Sequence, residues 1–126
     1  MRRVLILGML LLPIQASAHD PGGKFAQANP KMHEWFEGLR SGKGPCCSDA
    51  DGNVVKDSDW EAVNDPAKPN VHYRVFIQEQ WVDVPDDAVL TQPNMYGRTM
   101  VWPFYNSAYG GPVQVNIRCF IPGPGI

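Results

Sequence analysis

The clearest pattern in the chain lies near its end. Val113, Val115, Ile117, Cys119 and Ile121 alternate with Gln114, Asn116, Arg118 and Phe120. A period of two puts one set on each face of a β-strand. The same period runs through residues 71–77, where Val71, Tyr73, Val75 and Ile77 share one face and His72, Arg74 and Phe76 the other. Trp81–Val84 follows after a short connection, Gln78–Gln80, and reads as its hairpin partner, stopped by Pro85. Shorter strands are predicted over 53–56, 60–63, 87–90 and 99–102, the last ended by Pro103. Residues 104–112 then read as a long turn.

One segment has a different period. Met32, Trp35, Phe36 and Leu39 fall at i, i+3, i+4 and i+7, which is one face of a helix over 30–40. Asn29 suits the N-cap and Pro30 the first helical position, where its missing N–H costs nothing. Gly42 and Gly44 stand beyond the stripe and are expected to end the helix. Together these elements predict a mainly β fold: a small antiparallel barrel or sandwich with one N-terminal amphipathic helix. At 126 residues, with no repeat and no linker, residues 30–126 form a single small β-rich domain. Residues 19–29, with Pro21, Gly22 and Gly23, read as an extended arm.

The N-terminus has a separate logic. Arg2 and Arg3 precede an apolar run from Val4 to Ile14, and Ala16-Ser17-Ala18 is a small-x-small cleavage site. Residues 1–18 therefore read as a secretory signal peptide. The run is shorter than the ~20 apolar residues of a membrane span. A periplasmic or secreted protein beginning at His19 is expected, with no membrane anchor after cleavage. The formal charge of −2 becomes −4 once the two arginines are removed. That balance argues against nucleic acid as a partner, because no basic excess exists to displace counterions.

Three cysteines, Cys46, Cys47 and Cys119, matter more in an exported chain, where thiols usually pair. The alternation of the last strand points Cys119 inward. A bridge from Cys119 to either Cys46 or Cys47 is expected. The third thiol then remains free.

Candidate metal chemistry is sparse. After cleavage, the α-amine and ring nitrogen of His19 form a chelating pair for copper, which His33 or His72 would complete. Asp49, Asp51 and Asn53 match the start of a calcium loop, but Val54 stands where glycine is required and Trp60 where a bidentate Glu is required. The Asp51-Gly52 pair reads instead as a turn. No cofactor is otherwise expected. A Cys/His hydrolase would need His33 or His72 beside a thiolate, and neither sits in a catalytic signature. Trp60, Trp81 and Trp102 read as core, whereas Tyr96, Phe104, Tyr105 and Tyr109 fall in loops where aromatic rings can bind ligands.

The segments MHEWFEGLRSGKGPCCSDADG, WVDVPDDAVL, NMYGRTMVWP and IRCFIPG resemble a group of small uncharacterised exported proteins of Gram-negative bacteria. The resemblance implies the compartment and the cysteine framework, and no catalytic residue. A wider set of exported proteins also combines a mature N-terminal His with a Cys-Cys pair and a late Cys. This chain departs from that set in having no further cysteines soon after the pair. The expected function is a non-enzymatic binding or structural module, with an unknown envelope component as partner. A periplasmic copper-binding protein using His19 is the alternative.

Overall fold

A computed structural model describes residues 27–47, 51–107 and 109–124. The predicted signal peptide and His19 lie outside the described residues. Of the predicted arm, only 27–29 is described, and Gln27 and Ala28 are helical rather than extended.

Helix α1 spans Pro30–Glu37. The Asn29 side chain accepts a hydrogen bond from the Met32 N–H at 3.1 Å, which satisfies one of the amides a helix start leaves open. The helix stops three residues earlier than the apolar stripe suggests. Gly38 forms its C-cap, and Arg40 pairs with Pro45 in a two-residue ladder, β1 (Arg40–Ser41) with β2 (Gly44–Pro45). Leu39 leaves the helix but is still buried, at 1% exposure. Gly44 has φ +113°, a conformation open to glycine that lets this hairpin turn tightly.

The remaining strands form two three-stranded antiparallel sheets. The first has the order β3 (Asn53–Val54), β7 (Met100–Asn106), β8 (Gln114–Ile121); the second runs β4 (Trp60–Val63), β5 (His72–Ile77), β6 (Gln80–Val84). They make an open sandwich and not a closed barrel. α1 and the β1–β2 hairpin form a third layer.

That third layer explains the burial. On one face of the β7–β8 pair, Met100, Trp102, Cys119 and Ile121 pack with Phe36, Leu39, Cys46 and Leu90. On the other face, Val101, Ile117 and Phe120 pack with Val75, Val84 and Ala88 of the second sheet and the turn after it. The first sheet is thus covered on both sides, and its central residues must be apolar on both. Phe120, expected on the polar face of the last strand, is fully buried against Trp60 and Tyr73, with ring centroids 6.1 and 5.1 Å away.

Three sequence expectations need correction. Trp102 pairs with Cys119 but Pro103 with Ile117, so Arg118 is an extra residue in β8. This bulge reverses the alternation, and Ile117 faces the opposite side from Cys119. β7 does not end at Pro103. It runs on to Asn106, because the proline sits at the bulge, where a missing N–H breaks no regular ladder bond. Residues 86–88 form a 3-10 turn instead of a strand, and Val89 makes only one isolated parallel bridge, to Phe120.

The disulfide joins Cys46 to Cys119 across 73 residues, with a Cα–Cα distance of 5.6 Å. Cys46 is selected by the hairpin that precedes it. Its N–H donates to the Leu39 carbonyl at 3.0 Å, the Ser41 hydroxyl donates to the Arg118 carbonyl at 2.7 Å, and the Arg118 guanidinium donates to the Pro45 carbonyl. These bonds hold β2 beside the bulge. Cys47, at φ +80°, turns away and keeps a free, partly buried thiol.

Candidate binding seam

β6 and β8 come close at the side of the sandwich, but among the described residues no ladder joins them. The β5–β6 hairpin sets up this side. Ile77 pairs with Gln80 around a two-residue loop, Gln78-Glu79, with φ +53° and +60°. Positive φ at both positions is the type I′ turn, whose twist matches a hairpin. The turn makes Ile77 and Gln80 a hydrogen-bonded pair. By antiparallel alternation Val75–Val82 is the next such pair, while Trp81 and Asp83 direct their N–H and C=O groups away from β5. The far side of β6 has no neighbouring strand among the described residues.

A groove of about 490 Å³ runs along this edge, lined by Gln80, Trp81 and Asp83 on one side and by Pro112, Val113 and Asn116 on the other. Trp81, on β6, and Val113, just before β8, are 41% and 51% exposed, so two large apolar side chains meet solvent on facing walls of one groove. Trp81 stands on the outer face of the second sheet, with its ring centroid 5.6 Å from that of Phe76. The Arg74 guanidinium lies 5.5 Å from the Trp81 ring centroid, a cation–π arrangement. Arg74 is itself held by Glu61 at 3.1 Å and Asp83 at 3.3 Å. The result is an aromatic plate with a fixed cation and carboxylates beside it. A smaller cleft of about 240 Å³ adjoins Phe76 and is walled by Val54, Ile77 and Tyr105. A third hollow, of about 430 Å³, lies elsewhere, beside Lys56, Arg98 and Thr99.

Of the predicted metal ligands, His33 and His72 stand on separate elements, and His19 lies outside the described residues. His33, on α1, lies 3.4 Å from Glu37 one turn on. His72, on β5, lies 3.4 Å from Asp83 and 3.8 Å from Asp86, and its Nδ1 is buried without a hydrogen bond. His33 thus has one carboxylate beside it and His72 has two. Among the described residues no group of three His, Cys, Asp or Glu side chains could hold a metal ion. In the calcium-like segment, Asn53 begins β3 opposite Val101 and Trp60 begins β4, while Asp49 lies outside the described residues.

Of the tryptophans read as core, Trp102 is buried at 2% exposure and Trp60 packs against the second cluster. Trp81 is the exception. The signal was present in the strand: Trp81 shares a face with Asp83, and Val82 and Val84 share the other. Tyr96, expected in a loop, packs edge-on against Phe36 at 5.3 Å, whereas Phe104, Tyr105 and Tyr109 are exposed.

Comparison with protein-family models, curated proteins and solved structures finds no match. The chemistry of the seam is therefore the ground for a functional reading. Among the described residues no helix is long and apolar enough to cross a membrane.

Proposed function

We propose that the protein is a non-enzymatic interaction module of the periplasm or the extracellular space that engages a polypeptide partner at the seam between β6 and β8. The observation that carries this reading is the exposed Trp81 beside a strand edge that no other strand pairs among the described residues. An aromatic anchor supplies apolar contact area, and the outward N–H and C=O groups of Trp81 and Asp83 supply main-chain bonding, the two ingredients of strand addition. The Cys46–Cys119 bridge supports an oxidising compartment, in keeping with the signal-like residues 1–18 and the resemblance to exported proteins.

The test is photocrosslinking in cells that export the protein. A photoreactive phenylalanine analogue at position 113 should yield a covalent adduct with a polypeptide, and Trp81→Ala should abolish it. The same analogue at position 34, on the exposed side of α1, should yield none. Adducts from both positions, or none from position 113, would remove the seam as the site of recognition.

A further inference from the structure

β6 carries few of the devices that normally guard an exposed sheet edge. Its five residues, Gln80–Val84, include no proline, no lysine and no bulge. Its one charged side chain, Asp83, stands on the outer face and is occupied by Arg74 and His72. Among the described residues, the groups that the ladder with β5 leaves open are the N–H and C=O of Trp81 and Asp83.

We infer that β6 pairs antiparallel with β6 of a second copy, across a two-fold axis at Val82. This rests on the reading of the seam as a polypeptide-binding site and names its occupant. Three features select that register. With the axis at Val82, Trp81 faces Asp83 of the second copy and Asp83 faces Trp81. Each pair then exchanges two N–H···O bonds, which satisfies the outward groups of both strands. An axis at Asp83 would set two carboxylates directly opposite each other, and an axis at Trp81 would set Asp83 opposite Glu79. Both place like charges in cross-strand pairs. Slipping by a single residue would set outward groups against groups already bonded to β5. The strand is therefore complementary to itself in one register. The interface is isologous, as a two-fold dimer requires. The incoming strand lies along the groove walled by Val113 and Val115 and covers both.

Sedimentation equilibrium on the purified, disulfide-intact protein from about 1 to about 500 µM should show a monomer–dimer equilibrium, a range suited to a short main-chain interface. In the dimer-rich samples the amide protons of Trp81 and Asp83 should exchange slowly, and on dilution they should exchange fast. Two substitutions that both remove the ring then test the register. Trp81→Arg puts a cation opposite Asp83 twice, and Trp81→Glu puts an anion there twice. Self-association of the Glu variant should be at least about tenfold weaker than that of the Arg variant.

A monomer throughout the range overturns the inference. So does a dimer whose Trp81 and Asp83 amides stay unprotected, or equal association of the two variants. The amide measurement uses the unaltered chain and stands even if a variant fails to fold. Crosslinking from position 113 separates the two readings. An adduct of twice the chain's mass agrees with the second copy. An adduct of other mass, with a monomeric purified protein, preserves the seam and rejects this occupant. No adduct and no dimer rejects both.

Discussion

At the scale of single residues, the fold depends on where a side chain is absent. A Cβ on Gly52 would lie 2.8 Å from Met100 Cε, 2.8 Å from Trp102 Cε2 and 2.9 Å from Trp102 Nε1. The methionine can turn aside, but the indole is fixed in the core with Phe36, 6.1 Å away between ring centroids. Gly52→Ala should therefore destabilise the protein by about 1–3 kcal/mol, the usual cost of overpacking. The midpoint of urea unfolding reads this directly. Trp102→Phe, itself destabilising, should cost less in the Gly52→Ala background than alone, because the smaller ring makes room for the added methyl. An additive pair would show that the contact does not set the cost. In the sequence, Asp51-Gly52 carried only a turn signal. Packing against a tryptophan fifty residues away leaves no local trace, so the reason for this glycine was not legible. Trp81 is the opposite case. Its exposure followed from the alternation of Trp81, Val82, Asp83 and Val84, but tryptophan's usual burial outweighed that pattern.

At the scale of elements, the β5–β6 hairpin was the most legible part. Both strands were placed within a residue, because their alternation is local and one face of their sheet is solvated. The loop between them is chemically unsuited to its shape. Gln78 and Glu79 both adopt positive φ, which side chains with a Cβ resist and which Asn-Gly favours. Replacing the pair by Gln78→Asn with Glu79→Gly should raise stability by about 1 kcal/mol, as relief of strain outweighs the glycine's extra freedom in the unfolded chain. A higher denaturation midpoint with an unchanged slope would bear this out, and an unchanged midpoint would count against the type I′ geometry. β8 was legible in extent but not in facing. One extra residue at Arg118 exchanges the faces on either side of it, and nothing in a period of two announces a bulge. The residue's use becomes visible only with its long-range partners, the Ser41 hydroxyl and the Pro45 carbonyl. The start of α1 is legible in Asn29 and Pro30, but its end at Glu37 is not. Leu39 continues the helical spacing, although by then the chain has already left the helix for β1.

At the scale of the whole molecule, three thin layers enclose two small apolar clusters, and the disulfide ties the outer layer down. α1 and the β1–β2 hairpin reach the first sheet through Phe36, Leu39 and Cys46, a modest contact for an element eight residues long. An isolated helix of this length is not stable in water. Its attachment therefore rests on burial and on the covalent link. In the chain-entropy picture, a bridge spanning 73 residues restricts the unfolded state by about 4 kcal/mol. That is a large part of the ~5–15 kcal/mol that holds a typical domain folded. Cys119→Ala should thus cost about 2–5 kcal/mol by equilibrium unfolding. Cys47→Ser, which removes the thiol outside the bridge, should change stability by less than about 1 kcal/mol. Thiol titration of unfolded, unreduced protein gives a second reading of the same claim. The native chain should present one reactive thiol, Cys47, and Cys119→Ala should present two. The helical layer should also loosen first. In Cys119→Ala, amide exchange should accelerate in α1 and β1 more than in the β5–β6 hairpin, whose ladder lies in the other sheet and shares no residue with the bridge. Equal acceleration throughout would mean that the three layers unfold as one unit, with the bridge acting only on the unfolded chain.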